Sequence, residues 1–241
     1  MSGLSKSYGR LRALENVAFS IRAGEVLGLI GPNGAGKTTL FECLAGVQPS
    51  TTGVLLRDES VLDARARKEL LFYMPDAIAP WPAQSVGWAL DFTLGFFGGP
   101  RDRRDEVVGA MALGTLLGAP IGALSKGERK RTLLALALLT PQPILLIDEP
   151  FDGLDLRQSR QAAAALLEHA RHGRTLFLSI HQIAEAARLC DRFVLLSGGK
   201  VCAEGTLDEL RARARAAPSA ECGPARGEPA LDLEAVFLAL T

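Results

Sequence analysis

One segment, residues 31–38, has residue types and spacing that suit it to bind phosphate. Its sequence GPNGAGKT fits the pattern GxxxxGK(S/T) and lies between a strand-like run and a helix-like run, as a phosphate-binding loop does. The glycines let backbone N–H groups turn towards phosphate oxygens, and the helix that begins near Gly36 adds partial positive charge. We expect Lys37 to reach the β- and γ-phosphates of a nucleotide, and Thr38 to offer its hydroxyl to Mg²⁺. The predicted nucleotide contacts are Gly31, Pro32, Asn33, Gly34, Ala35, Gly36, Lys37, Thr38 and Thr39.

Two carboxylates end the apolar run at residues 144–147. An unbroken apolar run is typical of a strand that is buried on both faces of a parallel sheet. The carboxyl end of such a strand emerges beside the phosphate loop, where we expect Asp148 and Glu149. We expect Asp148 to lie on the side of the site that holds Mg²⁺, and Glu149 to polarise the attacking water molecule. Since adjacent strand residues point to opposite sides, the two acids need not compete for one position.

The elements that would position these residues alternate between strand-like and helix-like patterns, which indicates the α/β class. Strands are predicted at residues 16–21, 25–30, 54–56, 71–74, 144–147 and 175–180, with a hairpin at 192–197 and 200–203. Helices are predicted at residues 40–45, 126–139, 156–172, 182–189 and 231–240. Residues 85–117 are helical in pattern, so we expect a helical subdomain inserted into the α/β domain.

The composition excludes several classes of protein. The chain has 241 residues, of which 48% are hydrophobic, with 27 basic and 27 acidic residues. This length predicts one domain, and the hydrophobicity with zero net charge argues against disorder. Zero net charge also argues against a protein that coats nucleic acid. The sequence shows no apolar stretch of membrane-spanning length and no apolar core of a signal peptide, and its cysteines are widely spaced. We therefore expect a soluble, cytoplasmic protein.

The chain resembles the ATP-binding subunits of ATP-binding-cassette (ABC) transporters over nearly its whole length. Residues 124–128, LSKGE, match the position of the family's LSGGQ signature. Tyr8 falls where the family has an aromatic residue that stacks on adenine. Asp155 lies in the family's D-loop, and His181 matches the switch histidine that acts at the γ-phosphate. The predicted catalytic residues are Glu149, His181 and Lys37.

The resemblance implies a P-loop NTPase ABC cassette with a mixed core sheet, an antiparallel β part and an inserted helical subdomain. We expect the ATPase domain at residues 1–214 with its helical subdomain near 77–140, a flexible linker at 215–230 and a short C-terminal helix at 231–241. ATP and Mg²⁺ are the implied cofactors. In the family two domains pair head to tail, as a homodimer or a heterodimer. Ser125 and Gly127 of one subunit would then contact the ATP that the other subunit holds.

The chain departs from the family pattern at three places. The signature keeps its serine and second glycine, but Glu128 places a carboxylate where the family usually has an amide. Asp76 stands at the position of the Q-loop glutamine, which touches Mg²⁺ in the family; aspartate can also coordinate Mg²⁺, and Gln84 is a less favoured substitute. The family's N-terminal edge strand, which normally precedes Leu4, is expected to be largely absent.

The LSKG signature, the Pro75-Asp76 pair and the C-terminal tail resemble bacterial exporters whose ATPase is a separate subunit. The channel would then be a membrane-spanning permease, and the chain would lie at the cytoplasmic face of the cell membrane as a peripheral subunit. An aromatic cluster follows Asp76 and forms either a small helical core or a groove for a helix of the permease. Its members are Trp81, Trp88, Phe92, Phe96 and Phe97.

Two other functions stay open at this point. A soluble ABC protein of cluster assembly or translation would share these motifs, although translation factors of this type usually carry two cassettes. A neighbouring gene for a hydrophobic membrane protein would favour transport over that function. A nucleotide-binding regulatory module with little hydrolysis would account for Asp76 and Glu128, and an ATPase assay with the purified partner would distinguish it.

Overall fold

The computed structural model describes residues 1–76, 78–181, 183–216 and 232–241. Its central sheet consists of β3 (Val26–Ile30), β7 (Leu71–Met74), β8 (Ile144–Asp148), β9 (Thr175–Ser179), β10 (Arg192–Ser197) and β11 (Lys200–Gly205). The strand order is β11-β10-β3-β9-β8-β7. Neighbours from β10 through β7 pair in parallel, whereas β11 pairs antiparallel with β10. The core sheet is therefore mixed, as the sequence predicted.

A second, antiparallel sheet contains β2 (Leu11–Val17), β1 (Ser2–Tyr8) and β4 (Thr52–Val54), in that order. The short strands β5 (Leu56–Arg57) and β6 (Ser60–Val61) pair with each other. Strand β1 begins at Ser2, so only two strand residues precede Leu4, and β1 lies in the middle of this sheet because it pairs with both β2 and β4. The strand predicted at residues 16–21 is wrong beyond Val17, since the apolar residue Phe19 packs on Phe177 of the central sheet instead of joining a ladder.

Helices connect and cover the sheets. They are α1 (Lys37–Ala45), α2 (Ala64–Leu70), α3 (Val86–Phe97), α4 (Arg101–Ala110), α5 (Lys126–Leu139), α6 (Leu156–Arg171), α7 (Ile183–Leu189), α8 (Leu207–Ala216) and α9 (Leu233–Leu240). Helices α3 and α4 pack on α5 and form the helical insertion between β7 and β8. Helix α8 extends two residues into the predicted linker, whose remainder, residues 217–230, lies outside the described residues. No helix in the described part of the chain is long and apolar enough to cross a bilayer.

The core lies on both faces of the central sheet, because successive strand residues point to opposite sides. In β8, Leu145 and Ile147 join the cluster that includes α3, α5 and α6, whereas Leu146 joins the cluster that includes α1. In β9, Phe177 faces the same side as Leu146. All five residues of β3 and of β9 are buried. The sheet is therefore a rigid platform, and the loops at the carboxyl ends of its parallel strands carry the site.

Candidate active site

The predicted phosphate loop connects β3 to α1, as expected from its sequence. Gly34 and Gly36 adopt left-handed conformations with φ of 82° and 103°, which favour glycine. A Cβ at Gly36 would lie 2.7 Å from the carbonyl oxygen of Ala13, and one at Gly31 would lie 2.3 Å from that of Leu196. Helix α1 begins at Lys37, and its N-cap, Gly36, has no side chain to occupy the first N–H groups. The loop therefore leaves backbone donors available to an anion.

The ammonium group of Lys37 lies under the loop. Its Nζ donates to the carbonyl oxygen of Gly31 at 2.8 Å and lies 3.7 Å from Oε1 of Glu149. The residue is only 7% exposed. The structure therefore brings the predicted phosphate-binding lysine and the predicted catalytic carboxylate together.

Three oxygen-bearing side chains meet at the end of β8. The hydroxyl of Thr38 donates to Oδ2 of the buried Asp148 at 2.6 Å, and the hydroxyl of Ser179 donates to Oδ1 of the same carboxylate. Adjacent hydroxyl and carboxylate oxygens are the donors that Mg²⁺ takes from a protein when phosphates supply further ligands. The described residues hold no group of three or more His, Cys, Asp or Glu side chains arranged around a metal. Thr38 and Asp148 therefore fit a Mg²⁺ ion that is shared with a nucleotide.

Glu149 lies just beyond the end of β8 and has a left-handed backbone with φ of 49°. Its N–H donates to the carbonyl and the hydroxyl oxygen of Ser179, and its Oε2 lies 2.5 Å from Nδ1 of His181. Asp148 and Glu149 have different partners because the chain turns at Glu149, not because they alternate along a continuing strand. Glu149 and His181 are thus in contact beside Lys37.

Two residues of this region were not found from the sequence. Ser179 holds both Asp148 and the Glu149 backbone, yet a serine at the end of a strand carries no signal of its own. Lys130 donates from Nζ to Oδ1 of Asp76 at 2.5 Å and to the carbonyl oxygen of Glu149 at 2.7 Å. Its one signal is its position on the stripe of α5 that continues with buried Leu133 and Leu134.

Asp76 and Gln84 have hydrogen-bond partners other than Thr38 and Asp148. Asp76, predicted to bind the metal, forms an ion pair with Lys130. Gln84 is exposed, and its backbone carbonyl accepts from the N–H of Ile121. The structure thus places Asp76 next to the backbone of Glu149, with Lys130 between them.

The signature segment starts α5 and forms a complete capping box. Ser125 donates its N–H and its hydroxyl to Oε2 of Glu128, at 2.9 and 2.7 Å, and these bonds lower the pKa of Glu128. Lys126 and Asp152 form a 2.6 Å ion pair, which lowers the pKa of Asp152. A Cβ at Gly127 would lie 2.8 Å from the carbonyl oxygen of Gly153, so glycine lets the signature approach the D-loop.

Two other predicted nucleotide contacts serve local structure. Asp155 is the N-cap of α6, where its Oδ1 accepts from the N–H of Gln158 at 2.8 Å. Tyr8 ends β1 with an exposed ring, and Nζ of Lys6 lies 4.8 Å from the ring centroid. An exposed ring of this kind offers a face on which a planar base can stack.

The aromatic cluster forms a chain of ring contacts along α3. Trp88 stacks on Phe92 at 5.1 Å, and Trp81 meets Phe92 edge-on at 5.2 Å between ring centroids. Beside these rings lies a cavity of about 290 Å³, whose wall includes Pro75 and Phe96. Most of the cluster is exposed, and Phe96 is 72% exposed. The cluster is therefore an apolar groove on the surface rather than a closed helical core.

Comparison with known proteins identifies relatives of the chain. The family model described as ABC transporter matches residues 14–152. The hemin import ATP-binding protein HmuV of Streptomyces coelicolor is 35% identical over 228 residues, covering 88% of this chain and 79% of its own. The aliphatic sulfonates import ATP-binding protein SsuB of Pseudomonas putida is 33% identical, with 89% and 78% covered. The Nod factor export ATP-binding protein I of Ralstonia nicotianae is 32% identical, covering 87% of this chain and 67% of its own.

Solved structures share the fold. An ATP-binding subunit of an ABC transporter superposes with a TM-score of 0.85 and 27% identity, covering 99% of this chain and 97% of its own. A dimeric ATP-binding cassette in a post-hydrolysis state, bound to ADP and Pi, has a TM-score of 0.77 and 25% identity, with 86% and 97% covered. Most of the named relatives are import proteins, so they do not support the prediction of export.

Proposed function

Because this chain belongs to the ABC transporter family, we propose that it is the ATP-hydrolysing subunit of a transporter whose membrane-spanning permease is a separate protein. One observation carries the proposal. Lys37, Thr38, Asp148, Glu149 and His181 converge at the carboxyl ends of the parallel strands, although they come from separate segments of the chain. A regulatory module without turnover would not need a histidine-held carboxylate beside the phosphate loop.

Each residue of this group has a distinct task. MgATP, when bound, supplies the phosphoanhydride bond to be cleaved and a divalent charge beside it. Lys37 exchanges the carbonyl oxygen of Gly31 for phosphate oxygens, and Thr38 and Asp148 offer their oxygens to the metal. Glu149 orients a water molecule and accepts its proton, while His181 holds the carboxylate in place. Glu149 is therefore the residue whose loss should stop the chemistry while leaving nucleotide binding intact.

The signature acts on a second copy of the cassette or on a close relative. Within one chain, the bonds of Ser125 and Lys126 run to Glu128 and Asp152 among the described residues, and not to the phosphate loop. The related cassette bound to ADP and Pi is dimeric, which supports a head-to-tail pair with nucleotide between the subunits. ATP would close this pair and hydrolysis would open it, since the two nucleotides make different contacts.

The aromatic groove is the site that we assign to the permease. Its exposed rings suit the apolar face of an amphipathic helix, which is a common mode of recognition. The groove wall includes Pro75, next to Asp76, so an occupant would lie close to the end of β7 and to the catalytic region. Docking there would hold the chain at the cytoplasmic face of the membrane as a peripheral subunit.

Two directions of transport are candidates. Export is favoured by the LSKG signature and the Pro75-Asp76 pair, and one relative is an export protein. Import is favoured by the relatives that are named for hemin and sulfonate import. Proteoliposomes with the ATPase subunits facing outward distinguish the two directions. An exporter would accumulate cargo in the lumen on addition of MgATP, whereas an importer would release preloaded hemin or alkanesulfonate.

The proposed ATPase activity is tested by phosphate release from MgATP, with the purified chain and with its co-purified permease. Glu149→Gln should abolish release, retain bound ATP and elute as a dimer from a sizing column. The matched control is Glu168→Gln on α6, whose exposed side chain contacts Arg171 on the same helix and His172 just beyond its end. Absence of turnover in both the chain and the complex would overturn the proposal, as would a monomeric, ATP-free Glu149→Gln variant.

A further inference from the structure

A buried cation is bound to the backbone of the proposed catalytic residue Glu149, and the proposed mechanism does not use this cation. Lys130, on the second turn of α5, is only 2% exposed. Burial of an ammonium group is costly unless the charge is paired and its donors are satisfied. The charge is paired with Asp76, and Nζ donates to Oδ1 of Asp76 at 2.5 Å and to the carbonyl oxygen of Glu149 at 2.7 Å. The second bond reaches the backbone of the residue that is assigned to the chemistry.

The backbone of Glu149 needs such support. Its φ of 49° lies in the left-handed region, which non-glycine residues adopt only when their surroundings hold them there. The N–H of Glu149 is held by Ser179, and its carbonyl oxygen is held by Lys130. Both polar groups of the main chain are thus fixed, and this conformation directs the carboxylate towards Lys37 and His181.

We infer that Lys130 is a positioning residue for Glu149, and that Asp76 acts on the reaction through Lys130. This inference rests on the proposed role of Glu149 in hydrolysis. The ion pair holds the ammonium group of Lys130 against the Glu149 carbonyl oxygen and thereby holds the carboxylate in its working orientation. Asp76 then serves as the anchor of that cation rather than as a ligand of Mg²⁺.

The same pair connects the aromatic groove with the catalytic residue. Met74 ends β7, Pro75 lines the groove, and Asp76 follows directly. A shift of this segment by an occupant of the groove would move Asp76, then Lys130, and with it the carbonyl of Glu149. The connection runs through one side chain, so removal of its ammonium group breaks it.

The experiment measures steady-state hydrolysis of MgATP by the full chain with Lys130→Met, Lys130→Arg, Asp76→Asn and the double variant Asp76→Asn/Lys130→Met. Lys130→Met should lower kcat by about tenfold or more while KM for ATP stays within about twofold, the pattern of a lost transition-state arrangement. Lys130→Arg can still donate to both oxygens and should recover most of the turnover. Because the two residues act as a unit, the double variant should be no slower than Lys130→Met alone.

Controls separate this inference from loss of fold and from the proposed function. Lys68→Met, an exposed lysine on α2, should match wild type. Binding of a fluorescent ATP analogue without Mg²⁺, together with circular dichroism, should show that each variant is folded. If Lys130→Met does not fold, the inference is tested with Asp76→Asn and Lys130→Arg instead. It is supported if Asp76→Asn lowers kcat at constant KM while Lys130→Arg has a kcat near that of wild type.

Three results would overturn the inference. One is a folded Lys130→Met variant with wild-type kcat, and another is a rise in KM with kcat unchanged. The third is multiplicative losses in the double variant, which would mean that Asp76 and Lys130 act separately. Glu149→Gln, measured in parallel, distinguishes failure of this inference from failure of the proposed function. If it hydrolyses ATP at the wild-type rate, the proposed role of Glu149 fails and this inference fails with it.

Discussion

The hydroxyl of Thr38 donates to Oδ2 of Asp148 across 2.6 Å, joining the first turn of α1 to the end of β8. The two residues are far apart in the sequence, and the sheet brings them together because β8 and β3 are separated by β9 alone. Their oxygens are of the kind that Mg²⁺ prefers. Thr38 and Asp148 therefore offer adjacent oxygens of the kind that fit a Mg²⁺ ion.

Hydrolysis should require Mg²⁺, and the hydroxyl of Thr38 should contribute to the affinity for this ion. Excess EDTA should abolish phosphate release, and Thr38→Val should weaken the apparent affinity for Mg²⁺ about 10- to 100-fold, the loss expected when a metal site loses a polar partner. ATP binding in EDTA should change little, since the backbone of the loop remains. Titration of Mg²⁺ at saturating ATP measures the effect, with Thr52→Val on the exposed strand β4 as control. An unchanged Mg²⁺ titration would contradict the assignment.

Lys37→Ala should lower turnover about 100- to 1000-fold, equivalent to about 3–4 kcal/mol of transition-state stabilisation. The ammonium group lies within reach of both the loop carbonyls and Glu149, and no other side chain of the loop carries positive charge. Phosphate release and binding of a fluorescent ATP analogue measure the loss. Lys200→Ala, an exposed lysine that pairs with Glu15, should behave as wild type. Turnover within a few-fold of wild type would be incompatible with the proposed role.

Glu128→Gln should strengthen ATP-dependent dimerisation. Two bonds from Ser125 lower the pKa of Glu128, so a carboxylate faces the place where the partner's nucleotide would bind. Removal of that charge in the Glu149→Gln background should lower the ATP concentration needed for dimer formation by up to about fivefold, as expected for one exposed charge. The free energy of unfolding should change little, because glutamine also completes a capping box. Titration with ATP, with the dimer fraction read from a sizing column, measures the effect. Weaker dimerisation of Glu128→Gln would contradict the prediction and show that the carboxylate helps to orient Ser125.

Phe96→Glu should weaken association with a co-expressed permease without lowering the ATPase activity of the isolated chain. The ring is 72% exposed and lines the aromatic groove, so a charge there would oppose an apolar helix. Leu238→Glu is a matched control, since Leu238 is also 72% exposed but lies on α9. Affinity co-purification measures the difference. Equal recovery of permease with both variants would exclude the groove as its docking site.

Stability should fall as the pH decreases from about 6.5 to about 4 because of His169. Burial, followed by the positive charges of Arg174 and Arg103, lowers the pKa of His169 from 6.5 to about 4. Nδ1 of the neutral ring also lies 3.4 Å from Arg174 Nη1. Between these pH values the unfolded chain binds the proton and the folded chain does not, so protonation favours unfolding; above pH 6.5 the contribution is constant.

Urea unfolding at a series of pH values tests this prediction. His169→Gln should flatten the decline of unfolding free energy between pH 6.5 and 4. His172→Gln, which changes an exposed histidine next to the end of α6, should follow the wild-type profile. A parallel decline in His169→Gln and wild type would mean that other groups set the acid sensitivity.

The sequence determined the features that depend on neighbouring residues. The glycines of the phosphate loop predict its turn from the local sequence alone. Apolar stripes likewise predict the helices α3 and α5, and apolar runs predict the strands β7 and β8. Strand β1 was not predicted, because its pairing with β2 and β4 on either side is what makes this segment a strand. The segment after Val17 was misassigned because Phe19 packs against Phe177, which is distant in the sequence.

Only the tertiary structure decided which side chains meet at the site. Lys37, Thr38, Asp148, Glu149 and His181 could be chosen by motif. Ser179 carries no such signal, and the position of Lys130 on the apolar stripe of α5 indicates burial but not its partners. The sequence also favoured Asp76 as a metal ligand, whereas the fold places a buried ammonium group against it. The physical reason is that burial sets the cost of an unpaired charge. Burial is a property of the packed chain, so the partners of Lys130 become evident only when β7, β8 and α5 are assembled.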